Sequence, residues 1–155
     1  MAVRVVVEGG PYAGVGTREI GRRARAMLDA LQMHDAELSL VLTNDEQIHK
    51  LNATYRKKDR PTDVLAFAQR EAAREGTAGA LLGDVIVSVP TARRQAMEAK
   101  RDVLAEVTML VAHGLLHLLG WDHDTDARDR KMRAKTALLC AAAAKTAAPT
   151  RSKRG

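Results

Sequence analysis

One run of eleven residues constrains this chain more than any other: His113-Gly114-Leu115-Leu116-His117-Leu118-Leu119-Gly120-Trp121-Asp122-His123. Three of the five histidines fall in it, with the spacing H-x-x-x-H-x-x-G-x-x-H. On a helix, His113 and His117 share one face, about one turn or ~6 Å apart along the axis. Two imidazoles so placed can hold one metal ion. A third ligand four residues further along a straight helix cannot close a compact site. Gly120 supplies the exit, because glycine readily takes the left-handed conformation that ends helices. His123 then swings in from the following loop. Three imidazoles leave a coordination position open for water. All-nitrogen ligation suits one Zn2+ ion first, with nickel, cobalt or copper chemically open.

The upstream residues support the helix. Val103, Val107, Leu110, Val111, Leu115 and Leu118 recur at three- and four-residue steps without proline. The histidine spacing resembles that of metzincin zinc proteases, with one substitution. There, the residue after the first histidine is a glutamate that serves as general base. Here it is Gly114, which has no side chain. The metal architecture is retained while the peptidase chemistry loses its proton carrier.

A second block reads Leu51-Asn52-Ala53-Thr54-Tyr55-Arg56-Lys57-Lys58-Asp59-Arg60-Pro61-Thr62-Asp63-Val64-Leu65-Ala66-Phe67, and a third Leu82-Gly83-Asp84-Val85-Ile86-Val87-Ser88. Together with the histidine run, in this order, they resemble the YbeY family, bacterial metal-dependent endoribonucleases of ribosomal RNA maturation. The resemblance covers about residues 3 to 140. It implies that His113, His117 and His123 are zinc ligands and that Arg56 is catalytic in RNA cleavage. It further implies a single-strand endoribonuclease acting in 16S rRNA 3′-end maturation and late ribosome quality control. Small-subunit rRNA and ribosomal subunits or ribosome-associated proteins would be its partners, with no DNA expected. Ala66, Ala68 and Trp121 depart from the family's usual serine, proline and tyrosine.

Arg56 also makes physical sense unaided. A phosphodiester under attack gathers negative charge on its non-bridging oxygens, and a guanidinium can grip two of them at once. Lys57, Lys58 and Arg60 beside it read as a solvated basic turn.

Composition bounds the rest. At 155 residues, 46% hydrophobic, the chain supports one domain with an ordinary core, placed at residues 1–144. Residues 145–155 read as a disordered basic tail. One cysteine, Cys140, permits no intramolecular disulfide and fits a reduced, cytoplasmic setting. No signal peptide or membrane span is apparent in the sequence. The net charge of +6 is uneven: four cations in 145–155 have no acid to offset them, leaving +2 for the rest. Arg18, Arg22 and Arg25 form one basic helix face and Arg93, Arg94, Lys100 and Arg101 another group. Each fits an RNA backbone or a solvated surface equally well. Aromatics are scarce, so extensive base stacking is not expected.

Hydrophobic periodicity gives strands at Val3–Val7, Glu37–Leu42, Val64–Ala68 and Leu82–Val89. Helices are expected at Gly16–Met33, Asp45–Tyr55, Pro90–Lys100, Asp102–Leu119 and Thr125–Ala144, with Gln69–Gly79 a loop. Thr17 is a candidate N-cap, as are Thr43 and Asn44; Thr43 with Glu46 also fits a capping box. The expected fold is α+β: one mixed four-stranded sheet with one antiparallel edge strand, about five helices and a metzincin-like metal helix. By that analogy, Leu82–Val89 is the candidate edge strand lining the cleft.

Asp122 can hold a ligand imidazole through its other ring nitrogen or simply form the loop. Asp84 is a candidate for the cleft and Glu106 a weak one for proton transfer, while His34 and His49 read as surface histidines. Two other functions compete: a non-catalytic ribosome-assembly module with structural zinc, and a metallopeptidase, against which Gly114 argues.

Overall fold

The computed structural model describes residues 3–69 and 81–151, with side chains to residue 145. The expected loop therefore lies outside the described residues except for Gln69. The elements are β1 (Val3–Val7), α1 (Thr17–Ala30), β2 (Glu37–Thr43), α2 (Asp45–Arg56), β3 (Val64–Ala68), β4 (Leu81–Ser88), α3 (Val89–Ala99), α4 (Val103–Leu118) and α5 (Asp126–Arg151). α5 thus continues helical beyond the Ala144 end expected from the sequence, into the 145–155 segment.

The four strands form one mixed sheet in the order β1-β2-β4-β3. β1, β2 and β4 run parallel, and β3 pairs antiparallel to β4. The expected single antiparallel edge strand exists, but it is Val64–Ala68 and not Leu82–Val89. β4 is hydrogen-bonded on both sides, and Val85, Ile86, Val87 and Ser88 are all buried. A strand covered on both faces is near-continuously apolar, and that pattern sends β4 to the interior. The shorter β3 takes the edge.

Alternation along the strands builds two apolar layers. Leu38, Leu40, Leu42, Val85 and Val87 join α1, α4 and α5 in the main core. Ile86 and Leu65 point the other way and pack with Ile48 of α2 in a smaller cluster. The sheet therefore carries α4 on one face and α2 on the other, with β3 as the rim between them.

Caps set the helix starts. Asn44 accepts from the Gln47 N–H and begins α2, so the Thr43–Glu46 capping box is not what forms. The buried Thr43 hydroxyl instead donates to Glu8. Gly16 precedes α1 with no side-chain cap, and Thr17 is its first helical residue. Among the described residues no helix is long and apolar enough to cross a membrane.

Candidate metal centre

α4 is built to be fixed. Asp102 accepts from the Ala105 N–H at 2.8 Å and caps its start. Val107, Leu110, Val111, Ala112, Leu115 and Leu116 are buried along its length. Gly114 faces the sheet. A Cβ there would stand 2.7 Å from Val85 Cγ1 and 3.3 Å from Val64 Cγ2. Glycine at this position brings the helix backbone against β4 and β3, and it explains why the metzincin glutamate has no place here.

The helix ends as its glycine requires. Gly120 has φ +94, its N–H donates to His117 O, and the Trp121 N–H donates to Leu116 O, both at 3.0 Å. These are the paired bonds of a Schellman motif. The reversal carries His123 back over the helix. The three histidine ring centroids lie 4.8, 5.5 and 5.8 Å apart, and one ring nitrogen from each falls within 4.8 Å of the others. His113 and His117 are half-buried and His123 is exposed.

The donor set fits a metal ion. Burial first, then the charge His117 would carry, hold His113 below its ordinary 6.5, with Asp63 opposing in part. Burial and then His123 do the same to His117, against the charge of Asp122. Both rings are thereby kept neutral at neutral pH, the form that ligates. Three imidazoles with one side open to solvent match a site that retains an exchangeable position.

Arg56 approaches from the other face of the sheet. It is the last residue of α2, and Lys57 closes the helix in the left-handed conformation. Buried Asn52 donates to Arg60 O at 2.8 Å and holds the basic turn beneath. The Arg56 guanidinium sits 4.9 Å from the Phe67 ring centroid and donates from Nη2 to Ala66 O. Tyr55 packs edge-on against the same ring. Arg56 thus reaches around β3 into a cleft of about 540 Å³, lined by Val64–Ala68, His117 and Leu118. Its charge is felt by His117.

The structure sorts the other candidates. Asp122 Oδ1 accepts from the His123 N–H at 2.7 Å and shapes the loop, while its charge acts on His117. Asp84 borders a separate opening with Arg4 and Glu37 and stands opposite Phe67 in the β3–β4 ladder. Glu106 is buried against Arg101 at 2.8 Å. His34 and His49 pair with Asp29 and Asp59. In the basic groups, Arg22 pairs with Glu19 and Arg94 with Asp45, while Arg93 donates to Ala13 O. Sequence reasoning passed over Asp63. This half-buried carboxylate accepts from Gln95 Nε2 at 3.2 Å and raises the His113 proton affinity. Its place just before β3, in the block that carries Arg56, was the available signal.

An α+β domain with an open three-histidine centre beside an arginine-bearing cleft is the class that fold and site define. The family model described as Endoribonuclease YbeY matches residues 14–143. The Endoribonuclease YbeY of Heliobacterium modesticaldum is 49% identical over 110 residues, 66% of this chain and 66% of that protein. That alignment spans just under two thirds of the relative's length. The Endoribonuclease YbeY of Anaeromyxobacter dehalogenans is 46% identical over 142 residues, 92% of this chain and 72% of that protein. The chain belongs to the YbeY family. Its fold is also that of the solution structure of TM1509 from Thermotoga maritima, with TM-score 0.63, 24% identity and coverage of 91% of this chain and 88% of that one.

Proposed function

We propose that this chain is a zinc-dependent single-strand endoribonuclease of 16S rRNA 3′-end maturation and late ribosome quality control, working in the cytoplasm on ribosomal subunits. Residues 1–144 would form its catalytic domain and 145–155 a basic tail. The observation that carries the reading is that His117 and Arg56, mounted on opposite faces of the sheet, line one cleft at the β3 rim. Membership of a family named for endoribonuclease activity supports it.

His113, His117 and His123 would hold the ion. When bound, zinc supplies a Lewis acid for an oxygen of the reacting phosphodiester. Arg56 acts on the charge that develops during cleavage. One of its N–H groups is engaged by Ala66 O and the ring of Phe67 fixes its plane, which leaves further donors for the non-bridging oxygens. The outer rim of β3 orients the strand, because Val64, Ala66 and Ala68 turn their backbone groups away from β4. Asp122 keeps the His123 loop in shape. Gly114 leaves no carboxylate at the position a peptidase would use.

The test is cleavage of a single-stranded fragment spanning the 3′ end of small-subunit rRNA by protein of measured zinc content, beside His117→Ala. The wild type should cut and the folded variant should not, with a loss beyond the about 10–100-fold typical of an outer-shell metal partner. Equal cutting by both would assign the activity to a contaminant and leave the zinc a structural or assembly role.

A further inference from the structure

A second opening meets the histidines from the opposite side. Between α4 and α5 lies a groove of about 770 Å³, bounded at one end by His113 and His123. That volume falls in the range of about 300–1,000 Å³ found for small-molecule sites. Its walls are two rows at four-residue spacing, Ala105-Met109-His113 on α4 and Met132-Thr136-Cys140 on α5. The helical repeat aligns each row along its own helix, so the groove runs as a slot between α4 and α5 to His113 and His123.

Its chemistry differs from that of the β3 cleft. Asp129 and Arg133 at its border pair at 2.8 Å, and Arg101 is engaged by Glu106. Each of these two cations has a carboxylate partner, and Arg101 also turns Nη2 toward the Met109 sulfur, so the slot offers a phosphate less than Arg56 does. Thioethers and methyl groups dominate the walls, and methionine sulfur packs favourably against aromatic faces. Thr136 places one hydroxyl among them. Such a surface suits a flat, neutral, aromatic group with a polar edge. The centre thus has a cationic side at Arg56 and a mainly apolar side in this slot, with its charges paired at the border, as a nucleotide has a phosphate and a base.

We infer that the slot between α4 and α5 is a nucleobase subsite, seating the base of one nucleotide adjoining the scissile phosphate. The inference rests on the ribonuclease reading and adds where the strand's base goes. It also fits a chain with only 3% aromatic residues, in which Phe67 and Tyr55 are already engaged with each other. One enclosed base takes the place of a stacking platform.

The experiment scans a cleavable single-stranded RNA with one abasic ribose at a time around the cut site, leaving every phosphate in place. Removing the base at one flanking position should lower kcat/KM about tenfold or more, as loss of a base contact does, while other positions change little. Ala137→Leu, at an exposed position on the groove wall, should lower cleavage of intact RNA by a similar factor and be indifferent to that same abasic site. Cys140, the one cysteine of the chain, gives a readout independent of cleavage. Excess intact RNA should slow its alkylation by iodoacetamide, and RNA lacking the flanking base should not. A flat abasic profile on RNA that is cut, or Cys140 alkylation unchanged by intact RNA, overturns the subsite and leaves the ribonuclease reading standing. A protein that cuts no RNA loses both.

Discussion

Arg23 reaches α4 from α1, and Arg56 comes to the end of the same helix from α2. Arg23 donates to Glu19 at 2.7 Å and to Thr108 at 3.0 Å, and Thr108 in turn donates to Leu104 O. Its side chain is 18% exposed. Arg56 is exposed, and among the described residues it forms no ion pair with a carboxylate. A ring and a backbone carbonyl orient it without cancelling its charge. The two side chains are chemically identical. Burial and a carboxylate partner separate them, and they leave Arg56 as the one whose charge faces solvent.

The largest expected effect that would break this contrast is on Arg56. Arg56→Ala should lower RNA cleavage by about 10²–10³-fold, the cost of losing one preorganised charge-stabilising donor, with an unchanged melting temperature. Arg56→Lys should recover only part of the rate, because an ammonium cannot take two oxygens in a fork.

Gly114→Ala sharpens the other side, that of the helix that carries two of the three clustered histidines. The added methyl meets Val85 at 2.7 Å, so overpacking should cost about 1–3 kcal/mol in a denaturant titration. Bound zinc should fall with it if the displacement reaches His113.

Arg23→Ala should show the reverse of Arg56→Ala. It removes a charged hydrogen-bond pair and should cost ~2 kcal/mol of stability, while cleavage by the folded fraction stays within about twofold.

The smallest effect is in the pH dependence. Burial alone would raise the Glu19 carboxyl, but Arg23 and Arg22 override it and hold it below its ordinary 4.5. A carboxylate depressed in the folded state contributes stability above its unfolded value, and that stability is lost as pH falls through the folded value. Melting temperature should therefore drop on acidification below about pH 4.5, and Arg23→Ala should flatten that limb.

These residues also show what the sequence could and could not tell. The clustering of the three histidines was legible because it depends on local rules: a helical repeat, then a glycine that reverses the chain. Strand positions were legible for the same reason. The identity of the edge strand was not, since β3 and β4 exchange roles through pairing between distant segments. The arginines were legible only in part. Arg22 and Arg94 fitted an RNA backbone or a solvated surface equally well; Glu19 is a local partner of Arg22 on the same helix, whereas Asp45 meets Arg94 only through the fold. Gly114 was read as a missing base; the fold adds that it is a contact with Val85. Asp63 went unremarked because nothing local links it to His113.

One titration tests most directly that the three histidines and Arg56 form a single RNA-cutting centre. Zinc is added stepwise to metal-stripped wild type and Arg56→Ala, with bound metal and cleavage of single-stranded RNA read at each step. Wild-type activity should rise with occupancy and break at one ion per chain, while Arg56→Ala binds the same single ion and stays near background. Full cleavage without metal, or a variant that cuts like the wild type once loaded, would contradict it.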